Sequence, residues 1–148
     1  MRVILDANIV VALFLPLPFS AQARDYIAAW DRTGLDLLAP VLFEYEIHSA
    51  LHRAAAAGLL TEREAKKAMQ DAQALAVNCV PPSPELHNRA WYWAGRLDQS
   101  KTYDAQYVAL AELERTDFWT ADRWLANGAR RAGAGWVHWI GESELGRP

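Results

Sequence analysis

Short apolar runs alternate along the chain with longer stretches of mixed polarity, and the residues between them predict strands alternating with helices. Val3 to Leu5 is an aliphatic run ending at Asp6; a second apolar stretch follows Ala7 and Asn8 and stops at Pro16, which reads as strand, turn and short helix. Ser20 is placed to cap a helix through AQARDYIAAWDR to Gly34, and Leu35 to Leu38 offers a second strand. Pro40 suits the first turn of the next helix, which continues through Ala57 and leaves at Gly58. Thr61 and Glu64 form a capping-box pattern for another helix, and Val77 to Val80 reads as a third strand before Pro81 and Pro82. Ser83 and Pro84 open a helix to about Leu97, and Thr102 is placed to cap one from Tyr103 to Arg115. Strand Phe118 to Thr120, a helix from about Asp122 to Ala132 and a last strand Trp136 to Ile140 complete the succession. No repeat, low-complexity tract or linker interrupts it, so residues 1–148 are expected to form a single domain.

Strands separated throughout by helices imply crossover connections, hence a three-layer α/β/α fold around a parallel, about five-stranded central sheet. Folds of this kind bind ligands at the carboxyl edge of the sheet. Asp6 and Asp122 reach that edge because each closely follows a strand. Helices here run antiparallel to the strands, so their N-terminal turns share the same edge, and Asp104 and Glu46 arrive there too. Asp117 precedes its strand and belongs at the opposite edge.

Bulk properties narrow the chemistry. A net charge of −3 and an isoelectric point near 5.8 lack the basic excess that a polyanion-binding surface normally shows, so any phosphate substrate must be held locally. Cys79 is the only cysteine and cannot form an internal disulfide. The opening MRVILDAN places Asp6 where a secretion signal needs further apolar residues, and the longest apolar run, Ile9 to Phe19, is broken by Pro16 and Pro18. A soluble cytoplasmic protein, with no membrane partner, is expected.

Four carboxylates at one edge raise an electrostatic problem. Two unit charges about 4 Å apart repel by about 4 kcal/mol at an effective dielectric near 20. A hard divalent cation, Mg²⁺ or Mn²⁺, removes that repulsion, and an all-carboxylate ligand set favours these ions over zinc. Taken singly, Asp6, Asp104 or Asp122 is an ordinary helix-terminal acid; what points to a metal is their joint arrival. In the helix after Pro40, Phe43, Ile47, Ala50, Leu51 and Ala54 lie on one stripe, with Glu44 and Glu46 flanking it on opposite sides. Periodicity does not choose between those two acids.

Other constellations are weaker. Glu44, His48 and His52 recur every fourth residue, as zinc ligands on a helix can, but HExxH and a third ligand are missing. There is no G-x-S-x-G elbow, and Cys79 sits in an apolar run where thiols are commonly buried and inert. An aspartyl-phosphate enzyme would present D-x-D after its first strand, where this chain has Asn8. His87 and His138 are isolated and read as structural.

The stretches VILDAN, APVLFEYEIHSAL, TYDAQYVALAEL and FWTADRWL, in this order and spacing, resemble the PIN-domain ribonucleases, especially the VapC-like toxins of bacterial toxin–antitoxin pairs. The resemblance covers nearly the whole chain. It maps the family's acids onto Asp6, Glu46, Asp104 and Asp122 as the catalytic and metal-binding set, and selects Glu46 over Glu44. It adds Asn8 and Thr120 as polar residues that hold the carboxylates or a water in place. The activity it implies is Mg²⁺- or Mn²⁺-assisted hydrolysis of RNA phosphodiester bonds, with Glu46 and Asp104 equally open as the acceptor of the water's proton. It also implies an antitoxin partner and a homodimer.

Trp91, Tyr92 and Trp93 are consecutive on a helix, so they cannot all face one core, and an exposed aromatic would serve a protein interface more often than base stacking. Arg130 and Arg131 close a helix where they favour its dipole, and Lys101 and Arg123 neighbour the acids and are placed to steer a phosphate. Two rival functions remain: a non-catalytic RNA- or protein-binding module of the same fold, and a phosphotransfer domain with an acidic pocket.

Overall fold

The strand β1 (Arg2–Leu5) is buried from Val3 onward, as expected of an unbroken aliphatic run covered on both faces. In the computed structural model, which describes residues 1–142, β1 lies at the centre of a five-stranded sheet with β2 (Asp36–Pro40), β3 (Asn78–Val80), β4 (Phe118–Thr120) and β5 (Val137–Trp139). The order is β3-β2-β1-β4-β5 and every neighbouring pair is parallel, with Val3 opposite Leu37 and Ile4 opposite both Leu38 and Phe118. Connections from β1 run outward one way to β2 and β3, and the later ones run the other way to β5. Right-handed crossovers then place helices on both faces, and the two directions part between β1 and β4, where a crevice opens at the carboxyl edge.

Seven helices connect the strands of the described residues: α1 (Ala7–Val11), α2 (Ser20–Thr33), α3 (Leu42–Ala56), α4 (Glu62–Ala74), α5 (Pro84–Arg96), α6 (Tyr103–Glu114) and α7 (Arg123–Arg131), with a 3-10 turn at Ile140–Glu142. The helix α6 is apolar on nearly all sides, so it is an interior helix, packed on β1, β2 and α5 with Ala105 and Tyr107–Ala111 buried. Its Tyr107 ring stacks on Phe118 of β4, centroids 5.3 Å apart. Glu112 fastens α5 alongside by accepting from the Arg89 guanidinium through two bonds of 2.9 and 2.7 Å and from Trp93 Nε1 at 2.9 Å. Of the consecutive aromatics only Trp93 is buried; Trp91 and Tyr92 face outward.

The expected succession is met element by element, with shifts at the ends. Pro40 does not open a helix: it is the last residue of β2, opposite Val80, and α3 begins at Leu42. A proline at a strand's end loses no needed donor, and pairing with β3 overrides the local helix-start preference. The second strand accordingly covers Asp36–Pro40 rather than 35–38. Ser20 is not a cap but the first helical residue; its hydroxyl accepts from Leu17 N and donates to Leu15 O, tying down the turn before α2. Thr102 makes no side-chain cap bond either, since its backbone is not in the extended conformation that aims a hydroxyl at the helix. Thr61 caps α4 by accepting from Glu64 N at 3.1 Å. The last strand is the shorter Val137–Trp139. Among the described residues, no helix is long and apolar enough to cross a membrane.

Candidate metal centre

Asp6 follows the last residue of β1 and caps α1, accepting from Asn8 N, and it is one of few buried polar side chains. Its Oδ2 accepts from Thr120 Oγ1 at 2.8 Å across the β1–β4 crevice. The Thr120 hydroxyl, fully buried, also accepts from Asn8 Nδ2 at 3.2 Å and from Asp122 N at 3.0 Å, so its single donor and two acceptor positions are all used. Asn8 Oδ1 in turn accepts from Ala121 N at 3.0 Å. The turns after β1 and β4 are thus bolted together by two polar side chains.

The other three acids come from helix beginnings. Asp122 caps α7 by accepting from Leu125 N at 3.0 Å. Asp104, in the first turn of α6, accepts from Gln99 Nε2 at 3.1 Å, and the oxygen of the same amide is buried without a hydrogen-bond partner. Glu46, in the second turn of α3, accepts from the Tyr107 hydroxyl at 2.7 Å. All four line one cavity of about 660 Å³ together with Asn8, Arg53, Tyr45 and Tyr103. Glu44 lines a different cavity, with His48, Met69 and Cys79. Of the two glutamates that periodicity left open, Glu46 is thus the one that lines the cavity with Asp6, Asp104 and Asp122.

Burial and mutual repulsion mark this cavity electrostatically. Burial pushes the Asp6 carboxyl up to about 7; Thr120 opposes the rise, and Glu46 and Asp104 add to it by repulsion. Burial also raises Glu46, against the Tyr107 hydrogen bond and with a contribution from Asp104. Asp104 is raised by burial and by Asp122, against Gln99. The buried Tyr107 phenol is driven well above its ordinary value, chiefly by burial and next by Asp6 and Glu46, so it remains a donor.

One expectation needs correction. The acids share a cavity, but among the described residues no three carboxylate, imidazole or thiol groups already stand close enough to hold one ion. Each acid is instead turned onto its own protein donor. The donor set nevertheless fits a hard divalent cation: it is all oxygen and anionic, and Asp6, Glu46 and Asp104 are raised first by burial and further by a repulsion that a cation would cancel. Rotation about side-chain bonds is needed to close it.

The zinc alternative gains nothing, because Glu44, His48 and His52 are all exposed and belong to no metal-holding group among the described residues. Cys79 is half-buried with its thiol pushed up to about 11, first by burial and then by Glu44, which is the opposite of an activated nucleophile. His138 meets Asp117 at 3.0 Å, away from the cavity, and stacks on Trp119. Arg123 lies over the Trp139 ring and Arg130 pairs with Glu142, so the guanidinium lining the cavity is that of Arg53, which the sequence reading did not single out. Tyr107 and Gln99 were also missed: an aromatic in an apolar helix reads as core, and the glutamine's partner is decided by a loop.

A family model for the PIN domain matches residues 3–130. The chain belongs to the PIN-domain family. Among its relatives are the VapC ribonuclease Mb0985 of Mycobacterium bovis, 36% identical over 120 residues, spanning 81% of this chain and 85% of that protein, and ribonuclease VapC3 of Pyrobaculum aerophilum, 35% identical over 132 residues, spanning 85% and 93%. The fold is similar to the crystal structure of PAE2754 from Pyrobaculum aerophilum, with a TM-score of 0.68 at 20% identity, covering 96% of this chain and 85% of that one. It is also similar to VapBC2 from Rickettsia felis bound to a DNA fragment from their promoter, with a TM-score of 0.66 at 12% identity, covering 94% and 98%. These PIN-domain likenesses agree with the five-stranded parallel sheet described above.

Proposed function

We propose that this PIN-domain chain is a Mg²⁺- or Mn²⁺-dependent endoribonuclease, the toxin of a toxin–antitoxin pair, held in check by a cognate antitoxin and working in the cytoplasm as a homodimer. The observation that carries the reading is the shared cavity at the β1–β4 crevice, lined by Asp6, Glu46, Asp104 and Asp122 from four separate elements. Ribonuclease names among relatives at 35–36% identity support the substrate.

In this reading the four carboxylates hold one or two divalent ions. When bound, such an ion activates water as a nucleophile and neutralises charge on the departing oxygen. The chain's own groups do the rest. Thr120 and Asn8 hold the Asp6 carboxylate at the crevice, Tyr107 holds Glu46, and Gln99 holds Asp104. The proton released by the attacking water passes to Glu46 or Asp104, both of which burial has made better acceptors than an exposed acid. Arg53 at the cavity wall is placed to meet a phosphate oxygen.

The deciding experiment is cleavage of RNA by the purified chain with Mg²⁺ or Mn²⁺, with EDTA, and by Asp6→Asn. Metal-dependent cleavage that Asp6→Asn abolishes supports the proposal, and RNA left intact in every condition refutes it. One observation favours a second reading: each acid already has a protein hydrogen-bond donor, and no three are gathered for an ion. A non-catalytic binding module of PIN fold would show that arrangement, and would bind RNA or partner equally well with or without metal.

A further inference from the structure

We propose that Arg53 grips the phosphate next to the scissile one, and on one flank of it only, so that productive binding needs the substrate to continue past the cut on that flank. The inference rests on the ribonuclease reading above and names a subsite of the same cavity.

The cavity reaches beyond the acids. One face of α3, through Leu42, Tyr45, Glu46, Ser49, Ala50 and Arg53, lines it over about three turns. Arg53 follows Glu46 by seven residues, which returns it to the same side of the helix within about 20° and sets it about 10 Å further along the axis. A phosphate being cut must sit at the acids, at the Glu46 end. Helical side chains lean toward the N-terminus, so Arg53 reaches back along this trough into the stretch where the neighbouring phosphate of the same strand has to pass. A guanidinium meets two phosphate oxygens through paired N–H bonds, and every nucleotide carries a phosphate, so the grip reads position along the strand and not the base.

The guanidinium is free for this role. Ser49 and Ala57, four residues to either side, and Ala50 and Ala56, three to either side, offer it no carboxylate, whereas Lys66 and Lys67 on α4 are paired within their helix with Glu62 and Asp71. Arg53 takes part in none of the hydrogen bonds, ion pairs or cation–π contacts among the described residues. Lys101 and Arg123 neighbour the acids in sequence but line no part of the cavity, and Arg123 lies over Trp139. Arg53 is therefore the one cation on a wall that carries four carboxylates. Asn8, Tyr103, Asp104 and Asp122, which line the other sides, bring no positive charge, and that asymmetry confines the grip to one flank. A place in the last turn of α3, where a cation favours the helix dipole, accounts for the charge of Arg53 but not for its position in the cavity.

The test uses an RNA that the purified chain cuts, with the cut mapped, resynthesised as short strands in which one phosphate at a time, on either side of the scissile one, is replaced by an uncharged methylphosphonate. In the parent, a neutral group on one flank is expected to raise KM about ten-fold and leave kcat unchanged, as loss of uniform binding does. Arg53→Ala should raise KM by about the same factor on the fully charged strand and respond no further to that replacement. Arg53→Lys keeps the charge without the paired bonds and should fall between. Additive losses, an equal response on both flanks, or an Arg53→Ala with the parent's KM would overturn the subsite. So would a loss of stability alone, the mark of a dipole role. Whether the chain cuts at all scores the ribonuclease reading separately. If it cuts and Arg53→Ala is silent, only the subsite fails. Should nothing be cut, binding of a labelled oligouridylate to the Asp6→Asn protein decides. If Arg53→Ala then lowers the slope of log affinity against log salt by about one, the phosphate grip stands and the ribonuclease reading falls; an unchanged slope removes both.

Discussion

Thr120 Oγ1 donates to Asp6 Oδ2 at 2.8 Å, joining the ends of two adjacent parallel strands through two buried side chains. Because the same hydroxyl accepts from Asn8 Nδ2 and Asp122 N, one oxygen holds the turn after β1 and the turn after β4. Thr120→Val keeps the shape and deletes all three bonds. With buried partners left unsatisfied, it is expected to lower stability by about 2–4 kcal/mol. Thr120→Ser restores the hydroxyl and should recover most of that loss. Urea denaturation of the three proteins checks this, and a valine variant as stable as the parent would contradict the bolt.

The Asp6 carboxyl gives the metal-free protein a distinctive pH dependence. Its ordinary value of 3.8 is raised to about 7 in the fold, so between those limits the folded chain holds a proton that the unfolded chain has released. Stability is therefore greatest at the acid end of that window and declines as pH rises through about 7, by about 4 kcal/mol in total. Asp6→Asn supplies the neutral form permanently. In EDTA at pH 8 it should be more stable than the parent, and its stability should fall less than the parent's from pH 5 to 8, the raised Glu46 and Asp104 still contributing. Thermal unfolding of both proteins across that range is the check, and a parent that gains stability toward pH 8 would contradict the assignment.

Asp6 and Asp122 were legible because each lies at the end of an apolar run, where strand termination alone decides which edge a side chain reaches. Glu46 was not separable from Glu44 on periodicity, since both flank the buried stripe of α3. The distinction comes from the neighbour across the gap, Tyr107 for one and Cys79 on β3 for the other. Tyr107 itself reads as an interior aromatic. Its hydroxyl finds a partner 61 residues away, and nothing within α6 encodes that. Pro40 misled for a related reason: a local helix-start preference lost to pairing with Val80 on a strand forty residues on. Strand order and the reversal at β1–β4, which bring the acids together, are properties of the assembled sheet.

Tyr107→Phe isolates the positioning of Glu46. The ring's stacking on Phe118 is kept, but the 2.7 Å hydrogen bond is lost, and with its buried partners unsatisfied the fold is expected to lose about 1–3 kcal/mol. Without that donor the Glu46 carboxyl rises further and its orientation is no longer held. Loss of such a supporting hydrogen bond typically weakens metal binding about 10–100-fold. Calorimetric titration with Mn²⁺ should show the weaker affinity, in a variant that denaturation shows to be still cooperatively folded. An unchanged affinity would remove Tyr107 from the site.

Proton and cation compete for the same carboxylates, which couples metal binding to pH. With Asp6 raised to about 7 and Glu46 and Asp104 raised as well, binding an ion must release protons below neutrality. Mn²⁺ affinity should therefore rise steeply from pH 6 to pH 8. Metal at about 100 times its dissociation constant should stabilise the fold by about 2.7 kcal/mol, so at pH 8 it offsets part of the penalty of ionised Asp6. Asp6→Asn and Glu46→Gln should lose this stabilisation, whereas Glu44→Gln, in the other cavity, should keep it. Thermal shifts with and without Mn²⁺ at the two pH values distinguish these outcomes. An equal shift in Asp6→Asn would mean that the ion binds elsewhere, and the four acids would then be no more than helix-terminal residues.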